Sequence, residues 1–94
     1  MFVVVLTYTA PLDAIDALIP EHVAWLDRHY AAGHFLASGR RVPRTGGVVL
    51  AHGIGRAELD AILAQDPFHR HGVAVYEVIE FAPSKTSDAL SFLS

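Results

Sequence analysis

Hydrophobic and polar positions follow two different periods along this chain, and each change of period marks an element. Phe2 to Thr9 is rich in Val and aromatic residues and reads as a strand. Pro11 suits a first helical position, and Asp13 and Asp16 lie near the positive end of the helix dipole. The helical pattern runs from Leu12 to Ala32, and Gly33 suits its C-terminal stop. Pro20 lies inside that pattern and cannot donate to the carbonyl of Asp16, which predicts a kink or two abutting helices. His34 to Arg40 reads as a second strand ending in Ser38-Gly39, and Arg41 to Thr45 as a proline-containing loop. Gly46 to Ile54 is a third strand. Gly55 opens a second helix with Leu59, Ile62 and Leu63 as its apolar stripe, and Asp66-Pro67 ends it, because a residue before proline is pushed out of the α region. Gly72 to Ala82 is a fourth strand.

The order β-α-β-β-α-β is the split βαβ arrangement of the ferredoxin-like fold. It predicts an α+β domain with an antiparallel sheet and both helices on one face. No repeat, linker or low-complexity tract interrupts it, so residues 1–83 form one domain and 84–94 a tail carrying Leu90, Phe92 and Leu93. That tail is a candidate for docking on a partner subunit or for remaining disordered. In the first strand Phe2, Val4, Leu6 and Tyr8 point one way, and Val3, Val5, Thr7 and Thr9 the other. Both sets contain large apolar residues, yet two helices cover only one face. A homodimer joined through the sheets is therefore expected.

Composition narrows the function classes. At 94 residues the chain holds one small core, too little for a nucleotide-binding doubly wound fold or a (β/α)₈ barrel. The absence of cysteine excludes disulfide scaffolds, iron–sulfur clusters and thiolate zinc sites. Charged residues are 18% of the chain against about 25% in an average domain, which again favours surface covered by another copy. The net charge of −3, with Arg40, Arg41 and Arg44 as the one basic cluster, disfavours nucleic-acid binding. The apolar run Phe2 to Leu6 is too short for a signal or membrane segment, so a cytoplasmic protein without membrane contact is expected. No phosphate loop, nucleophile elbow or cofactor motif occurs, and no cofactor is expected.

The candidate chemistry lies in polar residues at positions where the helical period demands apolar ones. On the first helix, Ile15, Leu18, Ile19, Leu26 and Tyr30 form the core-facing stripe. His22 follows Leu18 by four positions and precedes Leu26 by four, so it falls on that stripe. Asp66 follows Ile62 by four, again on the apolar side, at the negative end of its helix, where the dipole disfavours a charge. Buried polar groups need partners, and neighbouring helices make these two partners for each other. A carboxylate on one imidazole nitrogen fixes the tautomer and frees the other nitrogen to move protons. Ser38, placed on the side of Leu36 and His34, is a candidate hydrogen-bonding group or nucleophile, and Gly39 lets a ligand approach the backbone.

Each of these residues also has an ordinary structural explanation. His22 fits a satisfied core histidine, Ser38-Gly39 a turn, and Trp25 and Phe68 plain core. The Asp66 side chain fits an Asx-turn bonding the amides of Phe68 or His69. The three arginines fit a solvated loop, or a grip on an anionic substrate. Six histidines invite a metal reading, and His69 and His71 have the His-x-His spacing. His22 and His29, however, lie seven apart where metal-binding helices more often use three or four, and no acidic partner has a recognisable ligand spacing, so no metal is expected.

Taken in order, Phe2-Val3-Val4-Val5-Leu6-Thr7-Tyr8, His22-Val23-Ala24-Trp25-Leu26, Gly33-His34-Phe35-Leu36-Ala37-Ser38-Gly39, Gly46-Gly47-Val48, Asp66-Pro67-Phe68 and Tyr76-Glu77-Val78-Ile79-Glu80-Phe81 resemble the YCII-related domain family over roughly residues 1–83. The resemblance implies a ferredoxin-like dimeric α+β barrel whose pocket holds a His–Asp pair and a nearby serine, which fall on His22, Asp66 and Ser38. A protein resembling this group removes chloride from a chlorinated hydroxyhydroquinone. The chain departs from the family pattern after Ser38-Gly39, where Arg40 replaces an expected proline. The resulting expectation is a small cofactor-free enzyme on a small organic substrate, dehydrohalogenase-like or a related hydrolase or isomerase. In it, His22 is the acid/base, Asp66 its orienting partner, Ser38 a ligand donor, and Gly39, Arg40 and Phe68 line the substrate site. The alternative is a dimer that binds or senses a small ligand without chemistry.

Overall fold

The computed structural model describes residues 1–94. In chain order the elements are β1 (Phe2–Tyr8), α1 (Leu12–Ala31), β2 (Phe35–Arg40), β3 (Gly46–Ala51), α2 (Arg56–Ala64), the one-turn α3 (Pro67–Arg70), β4 (Ala74–Glu80) and a terminal 3₁₀ segment (Asp88–Leu93). The four strands form one sheet in the order β2-β3-β1-β4, with every neighbouring pair antiparallel. This is the ferredoxin-like α+β arrangement expected from the element order. β3 stops at Ala51 and β4 starts at Ala74, because Gly53 and Gly72 take positive φ and turn the chain out of the sheet.

Three further differences from the sequence reading have local causes. The break into two helices predicted from Pro20 does not occur, since α1 is continuous for 20 residues. Ile15, Leu18, Ile19 and Trp25 pack on the core and hold the turns on both sides of the proline in helical geometry. Tyr30 lies at the margin of the stripe, 36% exposed, while Trp25 is fully buried and donates from Nε1 to the carbonyl of Ile62 at 3.0 Å, tying α1 to α2. In β2 the register shifts between Phe35 and Ala37, leaving Leu36 as the extra residue of a bulge. Ser38 therefore stands opposite the buried Val49 and shares the helix-facing side with Phe35, rather than with Leu36 and His34.

The two faces of the sheet are covered unequally. Phe2, Val4 and Leu6 of β1 are buried beneath the helices at 1%, 0% and 2% exposure. On the opposite face Val3, Val5, Val48 and Leu50 are half-buried, and Val75 and Ile79 of β4 are exposed. The tail returns to its own sheet: Leu90 and Leu93 share a hollow with Met1, Val3, Leu50 and Phe81, and Phe92 meets His52 edge-on. No helix is long and apolar enough to cross a membrane.

Candidate active site

The site is assembled from α1, the α2–α3 junction and the inward-facing side of the sheet. Asp66 is the N-cap of α3, with Pro67 in the first helical turn, and its Oδ1 accepts the Phe68 amide at 3.1 Å. This corrects the placement of Asp66 at the negative end of α2. That helix ends at Ala64, and a new helix begins immediately after Asp66, whose side chain caps it.

Asp66 has 0% exposure, and three donors converge on it. Besides the Phe68 amide, His22 Nδ1 lies 2.8 Å from Oδ1, and the Tyr76 hydroxyl donates to Oδ2. A carboxylate only accepts, so His22 carries its proton on Nδ1 and leaves Nε2 as the free nitrogen. The imidazole is clamped as well as bonded. It stacks on Phe68 with ring centroids 4.1 Å apart and planes 10° apart, and Trp25 lies against it at 5.5 Å.

Tyr76 was not among the residues singled out from the sequence. It sits on β4 opposite Leu6, an inward position at which a polar aromatic is out of place unless its hydroxyl has a partner, and that was the available signal. Burial first, then the negative charge of Asp66, pushes the Tyr76 hydroxyl far above its usual range. It therefore stays a proton donor to Oδ2.

His22 opens onto a cavity of about 240 Å³. Leu6, Ile19, Leu26 and Val49 supply apolar wall, Phe68 lies beside His22, and Ser38, Gly39 and Arg40 form the β2 side. Of the residues expected at the site, His22, Ser38, Gly39, Arg40 and Phe68 line the cavity, and Asp66 lies behind the imidazole, sealed from solvent. Ser38 Oγ is 2.7 Å from the Tyr30 hydroxyl, a partner not foreseen. The basic cluster divides. Arg41 donates to Thr7 Oγ1 at 3.4 Å and Arg44 pairs with Asp16, while Arg40 alone faces the cavity. No group of three or more His, Cys, Asp or Glu is arranged to hold a metal ion.

The chemistry open to this arrangement is proton transfer at Nε2, with the imidazolium balanced by the carboxylate behind it. His29 and His34 lie apart from the cavity, stacked on each other at 5.7 Å. Both ring nitrogens of His29 are buried without a partner, and burial, with the charges of His34 and Arg28, holds its pKa below the usual value.

No curated protein matches the chain in sequence. Among solved structures it is similar to 5-chloro-2-hydroxyhydroquinone dehydrochlorinase from Burkholderia phenoliruptrix AC1100, determined in complex with 2,5-dihydroxybenzoquinone. The similarity has a TM-score of 0.72 at 17% identity and covers 86% of this chain and 93% of that one, a likeness of fold. The YCII-related domain matches residues 1–82, nearly the whole chain, which therefore belongs to the YCII-related domain family.

Proposed function

We propose that this protein is a small acid–base enzyme that works without a cofactor on a small organic molecule, in the manner of a dehydrohalogenating lyase or a related isomerase or hydrolase. The observation that carries this reading is the 2.8 Å contact between His22 Nδ1 and the buried Asp66, on the wall of an open cavity. Nε2 takes a proton from an acidic hydroxyl or activated C–H of the substrate. The electron pair released expels a halide or shifts a double bond, and the imidazolium returns its proton to solvent or product. Ser38 hydrogen-bonds the substrate. The fold shared with a dehydrochlorinase is compatible with such chemistry, although one fold serves many reactions.

The test is turnover on chlorinated hydroquinones, followed as chloride release, for the wild type, His22→Ala and Asp66→Asn. General acid–base catalysis contributes about 10²- to 10⁴-fold, so His22→Ala should lose about that much kcat. Turnover unchanged in both variants ends the assignment. A ligand recovered unaltered by mass spectrometry from every candidate incubation favours the binding-only alternative.

The assembly we propose is a homodimer joined through the outer faces of the sheets. Val75 and Ile79 stand exposed there beside half-buried Val3 and Val5. A light-scattering mass of one chain at micromolar concentration rules it out.

A further inference from the structure

The β2 side of the cavity has a property that the proton-transfer reading leaves unused. Ser38 and Arg40 occupy alternate positions of β2, so both face the helices once the bulge at Leu36 has set the register. Arg40 stands opposite Gly47, which has no side chain, and both residues line the cavity. The other two arginines of the cluster are engaged, Arg41 with Thr7 and Arg44 with Asp16. Arg40 forms no ion pair and no side-chain hydrogen bond, and no Asp or Glu lines the cavity. The one carboxylate nearby, Asp66, is spent on His22, Phe68 and Tyr76 and is sealed from solvent. The cavity thus carries one uncompensated positive charge on its exposed β2 rim, beside an apolar wall, where it attracts an anion entering from solvent.

From this we infer that the ligand of the cavity is a small organic monoanion, with an apolar ring on the Leu6, Ile19 and Leu26 wall and its charge on Arg40. The volume suits one ring. An engineered apolar cavity of about 150 Å³ holds benzene, and the 240 Å³ here leaves room for a few substituents. A guanidinium grips a carboxylate through two parallel N–H donors, and the neighbouring Ser38 hydroxyl adds a further donor. A ring phenolate or enolate would be held through the same groups with one oxygen. The inference rests on the proposed function only in taking this cavity as the substrate site, and Arg40 serves as its specificity determinant.

Titrations of the full chain followed by amide NMR compare benzoate with its neutral isostere benzamide, and para-nitrophenolate with nitrobenzene. The proteins compared are wild type, Arg40→Gln and His22→Gln. In wild type the anion of at least one pair binds about tenfold tighter than its neutral counterpart, as a charge-assisted contact of this kind requires. Which pair shows it separates a carboxylate from a phenolate ligand. Arg40→Gln removes the preference and leaves weak binding of the neutral probe, whereas His22→Gln keeps it. Equal binding within both pairs, no binding by any probe, or a preference that survives Arg40→Gln overturns the inference. If His22→Ala abolishes turnover while wild type shows no charge preference, the acid–base reading stands and this one falls. If turnover survives His22→Ala while the preference tracks Arg40, the reverse holds.

Discussion

Removing the Tyr76 hydroxyl is the most direct probe of how Asp66 is held. Tyr76→Phe keeps the half-buried ring and its edge-on contact with His69, and deletes only the donor to Oδ2. Asp66 has no exposure, so water does not freely replace that donor. A hydrogen bond to a charged group contributes about 1.5–3 kcal/mol, and leaving a buried acceptor unpaired costs a similar amount. Because Tyr76 is itself only partly buried, the expected loss lies near the middle of that range, about 2 kcal/mol. In a domain of this size it lowers Tm by about 8–16 °C. Urea unfolding followed by Trp25, the only tryptophan and fully buried, reads the change as a lower midpoint at constant m. Protein concentration is held equal throughout, since self-association would move the midpoint. The pH dependence gives a second reading. The folded hydroxyl is pushed above the ordinary tyrosine value of 10.0 by burial and by Asp66, so the unfolded chain releases this proton first. Stability from this group is complete below about pH 10 and is lost as pH rises beyond it. The gap between wild type and Tyr76→Phe should narrow in that range. A loss below about 0.5 kcal/mol, less than the smallest net hydrogen bond, would refute the three-donor account of Asp66.

Two other perturbations test the scaffold. A Cβ at Gly46 would lie 1.8 Å from the Leu6 carbonyl oxygen, so Gly46→Ala must part β1 from β3. The expected cost is about 3 kcal/mol or more, the upper end for overpacking, read by thermal unfolding; Gly39→Ala, with open space around it, is the tolerated control. His29 has a pKa lowered by burial and by the charges of His34 and Arg28, so below about pH 6.5 the unfolded chain binds more protons than the folded one. Stability should fall as pH drops through that region, and His29→Leu should flatten the decline. Equal acid profiles for the two proteins would show that His29 carries none of it.

Much of this protein is legible from local pattern. The element order, and with it the ferredoxin-like topology, follows from runs and periods within single segments, and β1 alone shows that both faces of the sheet carry apolar side chains. His22 announces itself because a polar residue on an apolar stripe must find a partner, while Asp66, which lies beyond the end of α2, is legible as the cap spelled by Asp66-Pro67-Phe68. Other features depend on contacts between segments far apart in the chain. Tyr76 reaches Asp66 only because β4 lies beside β1 at the register that sets Tyr76 opposite Leu6. One bulge at Leu36 decided which way Ser38 faces, since a single extra residue inverts the side-chain alternation. Three arginines that look equivalent in sequence acquired three different surroundings, and only Arg40 was left facing the cavity. Pattern fixes which residues must be satisfied; the register between strands and the packing of α1 against α3 decide what satisfies them.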